Sequence, residues 1–358
     1  MELTLNFKFM DKRISGVLAV LPSRESRFVD EIEEYNFSRS QSMKLKLVMG
    51  YDKHRLADDS QCSSDLCIAG LEYLVENRML NVDDVDALVV VTQSPDYIMP
   101  PTSSVIHGRM KMRKDTICFD VNQGCAGYII GLIQSFMLLD QSEVNKVVLC
   151  NVDVLSKRVS SKDRNSYPLI GDGASITIVE RSKTPSQIYC RTLVDGTRHD
   201  ALMIPAGGFK IPSDPSTAKL VQDDKGNLRA LDHLVMKGDD IFNFVQIEVP
   251  PLIENVVQMS GHTLADIESF AFHQPNKFML NKLADNLGVP REKMPSNIVE
   301  NFGNASSVTI PTVFAYNYSE TLKENDKLMC LAGFGVGLTW GAMVMNVGKL
   351  DFCEIINV

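Results

Sequence analysis

What this sequence lacks narrows its function first. It has no excess of positive charge: 36 Lys and Arg against 45 Asp and Glu leave a formal net charge of −9. That balance argues against a general nucleic-acid-binding surface. It has no apolar run of the roughly 18 residues that a membrane-spanning helix needs. The opening stretch MELTLNFKFMDKRISGVLAVLPSRE has one short apolar segment, Val17 to Leu21. It carries no basic leader and no small-residue cleavage site, so no signal peptide and a cytoplasmic location are expected. The eight cysteines, Cys62, Cys67, Cys118, Cys125, Cys150, Cys190, Cys330 and Cys353, form no C-x-x-C pair. Such scattered thiols read as reduced and mostly buried. Cys62 and Cys67 are the nearest pair, but no histidine-rich partner makes them a zinc site, and no metal is expected.

What is present is a chain of 358 residues, 44% of them hydrophobic, enough for a large core. Strand-like and helix-like segments alternate. ALVVVTQ (Ala87–Gln93), DTICFDV (Asp115–Val121) and KVVLCNVDV (Lys146–Val154) are short β-branched runs suited to strands buried on both faces. SDLCIAGLEYLVENRML reads as an amphipathic helix capped by Ser64 or Asp65, and SSVIHGRMKMR as another. The alternation predicts α/β units on a mostly parallel sheet.

The pattern also repeats. NVDDVDALVVV from Asn81 resembles TLADIESFAFH from Thr263, an offset of 182 residues, about half the chain. Each half then has a glycine turn before an apolar strand: GDGASITIVE (Gly171–Glu180) and GFGVGLTWGAMVMNV (Gly333–Val347). Two matches in order predict duplicated halves, 1–183 and 184–358, joined near Arg181–Ser186. The polar segment Ala206–Ala230 reads as an excursion from the second half with freedom to move.

Three residues carry the chemistry. Cys125, in DVNQGCAGYIIGLIQSFMLLD, stands at a polar turn before a long apolar helix. A thiol there faces unpaired N–H groups and the positive end of the helix dipole, which favour a thiolate and can hold an oxyanion. His273 ends an apolar strand and opens onto QPN, where α/β folds gather function. Asn304, in ENFGNASSVTIP, offers an uncharged amide donor in a glycine turn. The order Cys, His, Asn also occurs in papain-like proteases. There, however, the cysteine lies near the mature N-terminus in a C-G-S-C-W-like context, and here it stands a third of the way along without a neighbouring Trp.

Five segments, DVNQGCAGYIIGL, YPLIGDGASITIVE, AFHQPNKFML, ENFGNASSVTIP and LAGFGVGLTWGAMV, resemble in order and spacing the thiolase-fold condensing enzymes, and among them the β-ketoacyl-acyl-carrier-protein (ACP) synthase III family. The resemblance implies a five-layered αβαβα fold of two similar halves, a homodimer, and no cofactor. It implies that Cys125 takes an acyl group from acyl-CoA or acyl-ACP. His273 and Asn304 would then bind the thioester carbonyl of malonyl-ACP, whose decarboxylation gives an enolate that attacks the acyl-cysteine in a fatty-acid-type condensation. The backbone N–H groups of Cys125 and Val336 would form the oxyanion hole. Gly333 stands where thiolases place a second cysteine, which favours decarboxylative condensation.

The resemblance further assigns Arg164, Asn276 and Lys277 to substrate, coenzyme A or carrier binding, and Met99 to a segment that crosses the dimer and limits the primer pocket. Some features depart from the family. The segment Ser40–Asp58 lacks the Trp that stacks on coenzyme A, Asp52 replaces an expected Arg, and Phe278 occupies a position often basic. Asp239 and Asp240 lie beside Lys237, leaving few basic contacts for an acidic carrier. The alternative reading keeps the fold but passes the acyl group to an oxygen or nitrogen nucleophile in a specialised pathway. A third is a non-catalytic binding subunit.

Overall fold

The computed structural model describes residues 5–35, 38–224 and 226–358. Its frame is built from eleven strands. They are β1 (Phe7–Met10), β2 (Lys12–Leu21), β3 (Ala87–Val91), β4 (Ile117–Val121), β5 (Lys146–Asp153), β6 (Gly173–Arg181), β7 (Gln187–Val194), β8 (Ser269–Phe272), β9 (Asp326–Gly335), β10 (Thr339–Gly348) and β11 (Phe352–Asn357). One sheet has the order β11-β2-β6-β5-β3-β4, the other β1-β7-β10-β9-β8.

Within each sheet the sequence β2-β6-β5-β3 is matched by β7-β10-β9-β8, with two antiparallel pairings followed by a parallel one. The turn 182–186 connects the last strand of the first set to the first of the second. Two terminal strands cross between the sets. β1 pairs with β7 in the second sheet, and β11 pairs with β2 in the first.

The layers follow from burial. Two apolar helices, α1 (Gly127–Leu139) and α2 (Thr309–Asn317), lie between the sheets, where Tyr128, Leu132, Phe136, Ile310 and Phe314 share one core with residues of both sheets. α1 is apolar nearly all round, as a helix buried on two sides must be. The outer face of the first sheet is covered by helices Ser63–Glu76 and Thr102–Arg109. Helices Gly238–Met259 and Lys277–Leu287 cover the second. Helix, sheet, helix, sheet, helix is the expected five-layered order. None of the helices among the described residues is long and apolar enough to cross a membrane.

The two large sheets are mixed rather than mostly parallel, with five antiparallel pairings and four parallel ones. β4, expected to be buried on both faces, is a partly exposed edge strand. The helix expectations hold with shifted ends. The N-cap of the first outer helix lies two residues before Ser64, the nearer of the two expected caps. Cys62 is its N-cap, and its N–H is met by Asp65 Oδ2 at 3.0 Å. The second stops at Arg109 because Lys111 turns left-handed, with φ 54°. The excursion at 206–230 is anchored to the body near its end by Arg229. Arg229 forks onto the fully buried Asp163 at 2.6 and 3.2 Å and also meets Asp223 at 3.0 Å.

Candidate active site

Strand ends and the N-terminus of α1 converge on one cavity of about 1760 Å³, and Cys125, His273 and Asn304 all line it. Cys125 is half-buried, on the turn between β4 and α1. β9 runs against this turn. A Cβ on Gly333 would lie 2.8 Å from the Cys125 carbonyl oxygen, and one on Gly335 would lie 2.8 Å from the sulfur. Only glycine permits that approach. It leaves no space at 333 for the second cysteine of a thiolase, and Cys330 is buried in the other core.

The approach also delivers the Val336 backbone N–H to the sulfur of Cys125, where the N–H of Cys125 itself converges. These are the two groups expected to form an oxyanion hole. The expected low thiol pKa is not met, however. Burial pushes the thiol up to about 11, aided by the Asp153 carboxylate and opposed by those two N–H groups and the Ser306 hydroxyl. Desolvation outweighs the helix terminus, so the resting nucleophile is a neutral thiol.

His273 follows β8 and is held by its own N–H to the Ala332 carbonyl at 2.8 Å. Its ring is buried edge-on to Phe334, with centroids 5.7 Å apart. Nδ1 lies 2.9 Å from Thr309 Oγ1. Burial holds the imidazole down, to about 3, against a contact with the Ser306 carbonyl, so it is neutral at physiological pH.

Asn304 is fixed by its backbone, which donates to the Leu169 carbonyl at 2.6 Å and accepts from the Gly171 N–H at 3.1 Å. Its Oδ1 accepts the Ser306 N–H at 2.9 Å. With that oxygen engaged, the side-chain amide turns its NH₂ donor the other way.

The residues assigned to substrate binding divide. Arg164 and Asn276 line the cavity. Asn276 also caps helix Lys277–Leu287, its Oδ1 accepting the Met279 N–H at 2.8 Å. Lys277 lies off the cavity lining, paired with Glu300 at 3.4 Å. Met99 is 76% exposed and also off the lining, while its neighbours Tyr97 and Ile98 contribute to it. In the region that lacks the stacking Trp, Leu45, Met49 and Tyr51 line the cavity, and Lys46 pairs with Asp52. Sequence reasoning did not single out Ser306, Thr309 or Asp153. The signals present were a serine two residues after Asn304, a threonine opening α2, and an aspartate ending a mostly apolar strand.

The comparisons with known proteins agree with this geometry. The family described as 3-oxoacyl-[acyl-carrier-protein] synthase III matches residues 119–195, and its C-terminal counterpart matches 257–347. A Campylobacter jejuni protein, provisionally named 3-oxoacyl-[acyl-carrier-protein] synthase 3, is 32% identical over 348 residues, 96% of each chain. The β-ketoacyl-[acyl-carrier-protein] synthase III 3 of Streptomyces coelicolor is 28% identical over 94% of this chain and 98% of its own. A crystal structure of the 3-oxoacyl-(acyl-carrier-protein) synthase from Burkholderia xenovorans LB400 superimposes with a TM-score of 0.92, covering all of both chains at 29% identity. The chain belongs to the 3-oxoacyl-[acyl-carrier-protein] synthase III family, acyl-transferring condensing enzymes of the thiolase fold.

Proposed function

We propose that Cys125 accepts an acyl group as a thioester and that His273 and Asn304 drive the decarboxylative condensation of malonyl-ACP onto it, giving a β-ketoacyl-ACP. The observation that carries the reading is the convergence of the Val336 and Cys125 N–H groups on the sulfur of Cys125, which lines the cavity. Two N–H groups placed there meet the oxygen of a tetrahedral intermediate as charge develops on it. Forming and then cleaving an acyl-enzyme divides one hard carbon–carbon step into two easier ones.

The second half-reaction needs donors rather than bases. Loss of CO₂ from a malonyl thioester leaves an enolate oxygen, and neutral N–H donors stabilise it in a site removed from water. The Asn304 NH₂ suits that role. His273 supplies the other donor when Nε2 carries the hydrogen, its ring held by the contact between Nδ1 and Thr309 Oγ1. Arg164 and Asn276 stand where the arm of the acyl donor enters. The donor is acyl-CoA or acyl-ACP, the working unit is a cytoplasmic homodimer, and no cofactor takes part. The two halves of the chain, divided at 183–184, contribute the nucleophile and the two donors respectively.

The test is the product of acyl donor plus malonyl-ACP, read by mass spectrometry. A β-ketoacyl-ACP is expected, with loss of CO₂. An ester or amide of the primer, formed without CO₂ release, would mean that the site passes its acyl group to oxygen or nitrogen instead.

A further inference from the structure

The donor Asn304 is held from behind. Its backbone forms a short parallel bridge with Ile170, donating to the Leu169 carbonyl at 2.6 Å and accepting the Gly171 N–H at 3.1 Å. The two segments also touch directly. A Cβ on Gly303 would lie 2.7 Å from the Gly171 Cα, and one on Gly171 would lie 2.3 Å from the Phe302 carbonyl oxygen. Whatever holds residues 169–171 therefore holds Asn304.

Successive residues of an extended segment turn their backbone groups to opposite sides. The Ile170 carbonyl and the Asp172 N–H accordingly face away from Asn304, toward the short strand Lys53–Arg55. The Asp172 N–H donates to the Arg55 carbonyl at 2.7 Å. The Ile170 carbonyl is met by a side chain instead, His54 Nδ1, at 2.5 Å. Strand alternation puts it there. Lys53 and Arg55 point outward and pair with Glu25 at 3.1 and 3.3 Å, whereas His54 points inward and is buried. A Cβ on Gly303 would come within 2.8 Å of the His54 Cβ, so the histidine abuts both segments.

Hydrogen-bonding capacity fixes what His54 does. A carbonyl oxygen only accepts, so Nδ1 carries a hydrogen and donates it to Ile170. Nε2 lies 2.7 Å from Glu31 Oε1, and the proton of that bond comes from the ring or from the carboxyl. In either case Nδ1–H stays aimed at Ile170. Glu31 is itself held, by the Tyr35 hydroxyl at 3.0 Å and by the Ser26 hydroxyl. Tyr167 stands edge-on to the imidazole, with centroids 5.4 Å apart. Tying both ring nitrogens sets the ring's direction as well as its place.

We propose that His54 is a positioning residue for the condensation step: anchored by Glu31, it holds the Ile170 carbonyl and so fixes where Asn304 presents its amide to the malonyl thioester. This rests on the reading that Asn304 binds that thioester. Neither His54 nor Glu31 lines the cavity, so neither touches substrate. Cys125 stands on a separate turn, between β4 and α1, and its acylation does not depend on this clamp.

The two ring nitrogens can be replaced one at a time. An Asn side chain places its NH₂ near the position of Nδ1, and a Gln side chain places its NH₂ near that of Nε2. His54→Asn therefore keeps the donor to Ile170 and gives up Glu31, whereas His54→Gln does the reverse. In the full-length enzyme, decarboxylation of malonyl-ACP is measured apart from acylation of Cys125 by acetyl-CoA and a short acyl-ACP. His54→Gln is expected to slow decarboxylation by about 10- to 100-fold, the cost of a displaced catalytic group, with acylation within about threefold of wild type. His54→Asn should keep decarboxylation within about threefold of wild type. If loss of the Glu31 partner unfolds that variant, His54→Asn combined with Glu31→Gln reads the same donor beside a neutral amide, and the same retention is expected. In an Asn304→Ala background, His54→Gln should slow decarboxylation no further, because residues that act through one another are not additive. An unaffected His54→Gln, equal losses in His54→Gln and His54→Asn, equal losses in both half-reactions, or losses that multiply in the Asn304→Ala background each overturn the assignment. A wild type that does not decarboxylate malonyl-ACP would sink the proposed function itself, and the role of His54 with it.

Discussion

A Cβ placed on Gly335 would stand 2.7 Å from Cys125 Cβ and 2.8 Å from its sulfur. The nucleophile is thus wedged between its own turn and the end of β9, and its position depends on an absent methyl group. Gly335→Ala is expected to fold, since one local shift relieves the clash, but to move the sulfur off the Val336 N–H. Displacement of about 1 Å from attack geometry costs on the order of 100-fold. Acylation kcat/KM should fall by that order while the far-ultraviolet circular dichroism is unchanged. An acylation rate equal to wild type would show that the contact does not set the sulfur's position.

Thr309 Oγ1 lies 2.9 Å from both His273 Nδ1 and the Ser306 carbonyl. Thr309→Val keeps the shape and removes the hydroxyl. The imidazole then loses its hydrogen-bond partner at Nδ1, and decarboxylation of malonyl-ACP should drop by roughly 10- to 100-fold. Acylation of Cys125 should change far less. Losses of equal size in both half-reactions would assign Thr309 to the fold rather than to His273.

Asp153 has a signature in stability. Its carboxyl is raised from 3.8 to about 6 in the folded protein. The folded state therefore binds its proton more tightly than the unfolded state, and stability from this group is lost as pH rises from about 4 through 6. The rise corresponds to roughly 3 kcal/mol at neutral pH. Asp153→Asn keeps an acceptor for the Gln93 N–H and carries no charge. Chemical denaturation should find the variant close to wild type at pH 4 and more stable at pH 8, by up to about 3 kcal/mol. A variant less stable than wild type at pH 8 would contradict this.

Arg229 holds the 206–230 excursion to the body through the fully buried Asp163. Removing one partner of a buried pair leaves a charge without compensation, typically at 3–5 kcal/mol. Arg229→Ala should raise hydrogen exchange across 206–236, and Asp163→Asn in the same chain should restore part of the protection. Because Arg229 and residues 206–209 line the cavity, KM for the acyl donor is expected to rise more than kcat falls. Unchanged exchange would show that the excursion is held by other contacts.

Much of this architecture could be read from the residues. β-branched runs and the 182-residue offset pointed to two sheets of like order, because burial on both faces and duplication both leave their mark on sequence pattern. Cys125, His273 and Asn304 were legible because each stands at the boundary between a periodic segment and a glycine or polar turn. The rest depended on contacts between distant elements. The crossing of β1 and β11 between sheets has no local signal. Ser306 looks like one small residue among several in NASSV, and its hold on Asn304 and Thr309 appears only where its φ of 55° and its two backbone hydrogen bonds are seen together. The thiol pKa was misjudged for the same reason: the helix terminus is visible in sequence, whereas the burial that outweighs it is not. Lys277 was assigned to substrate by position, but its side chain turns to Glu300.

The central claim is that Cys125 carries the acyl group. Intact-mass analysis after incubation with acetyl-CoA and a panel of acyl-ACP donors tests it most directly. The wild type should gain one acyl mass, mapped by peptide analysis to Cys125, and lose it when malonyl-ACP is added. Cys125→Ala should gain nothing and form no β-ketoacyl product. An alanine variant that is still acylated and still condenses would contradict the account.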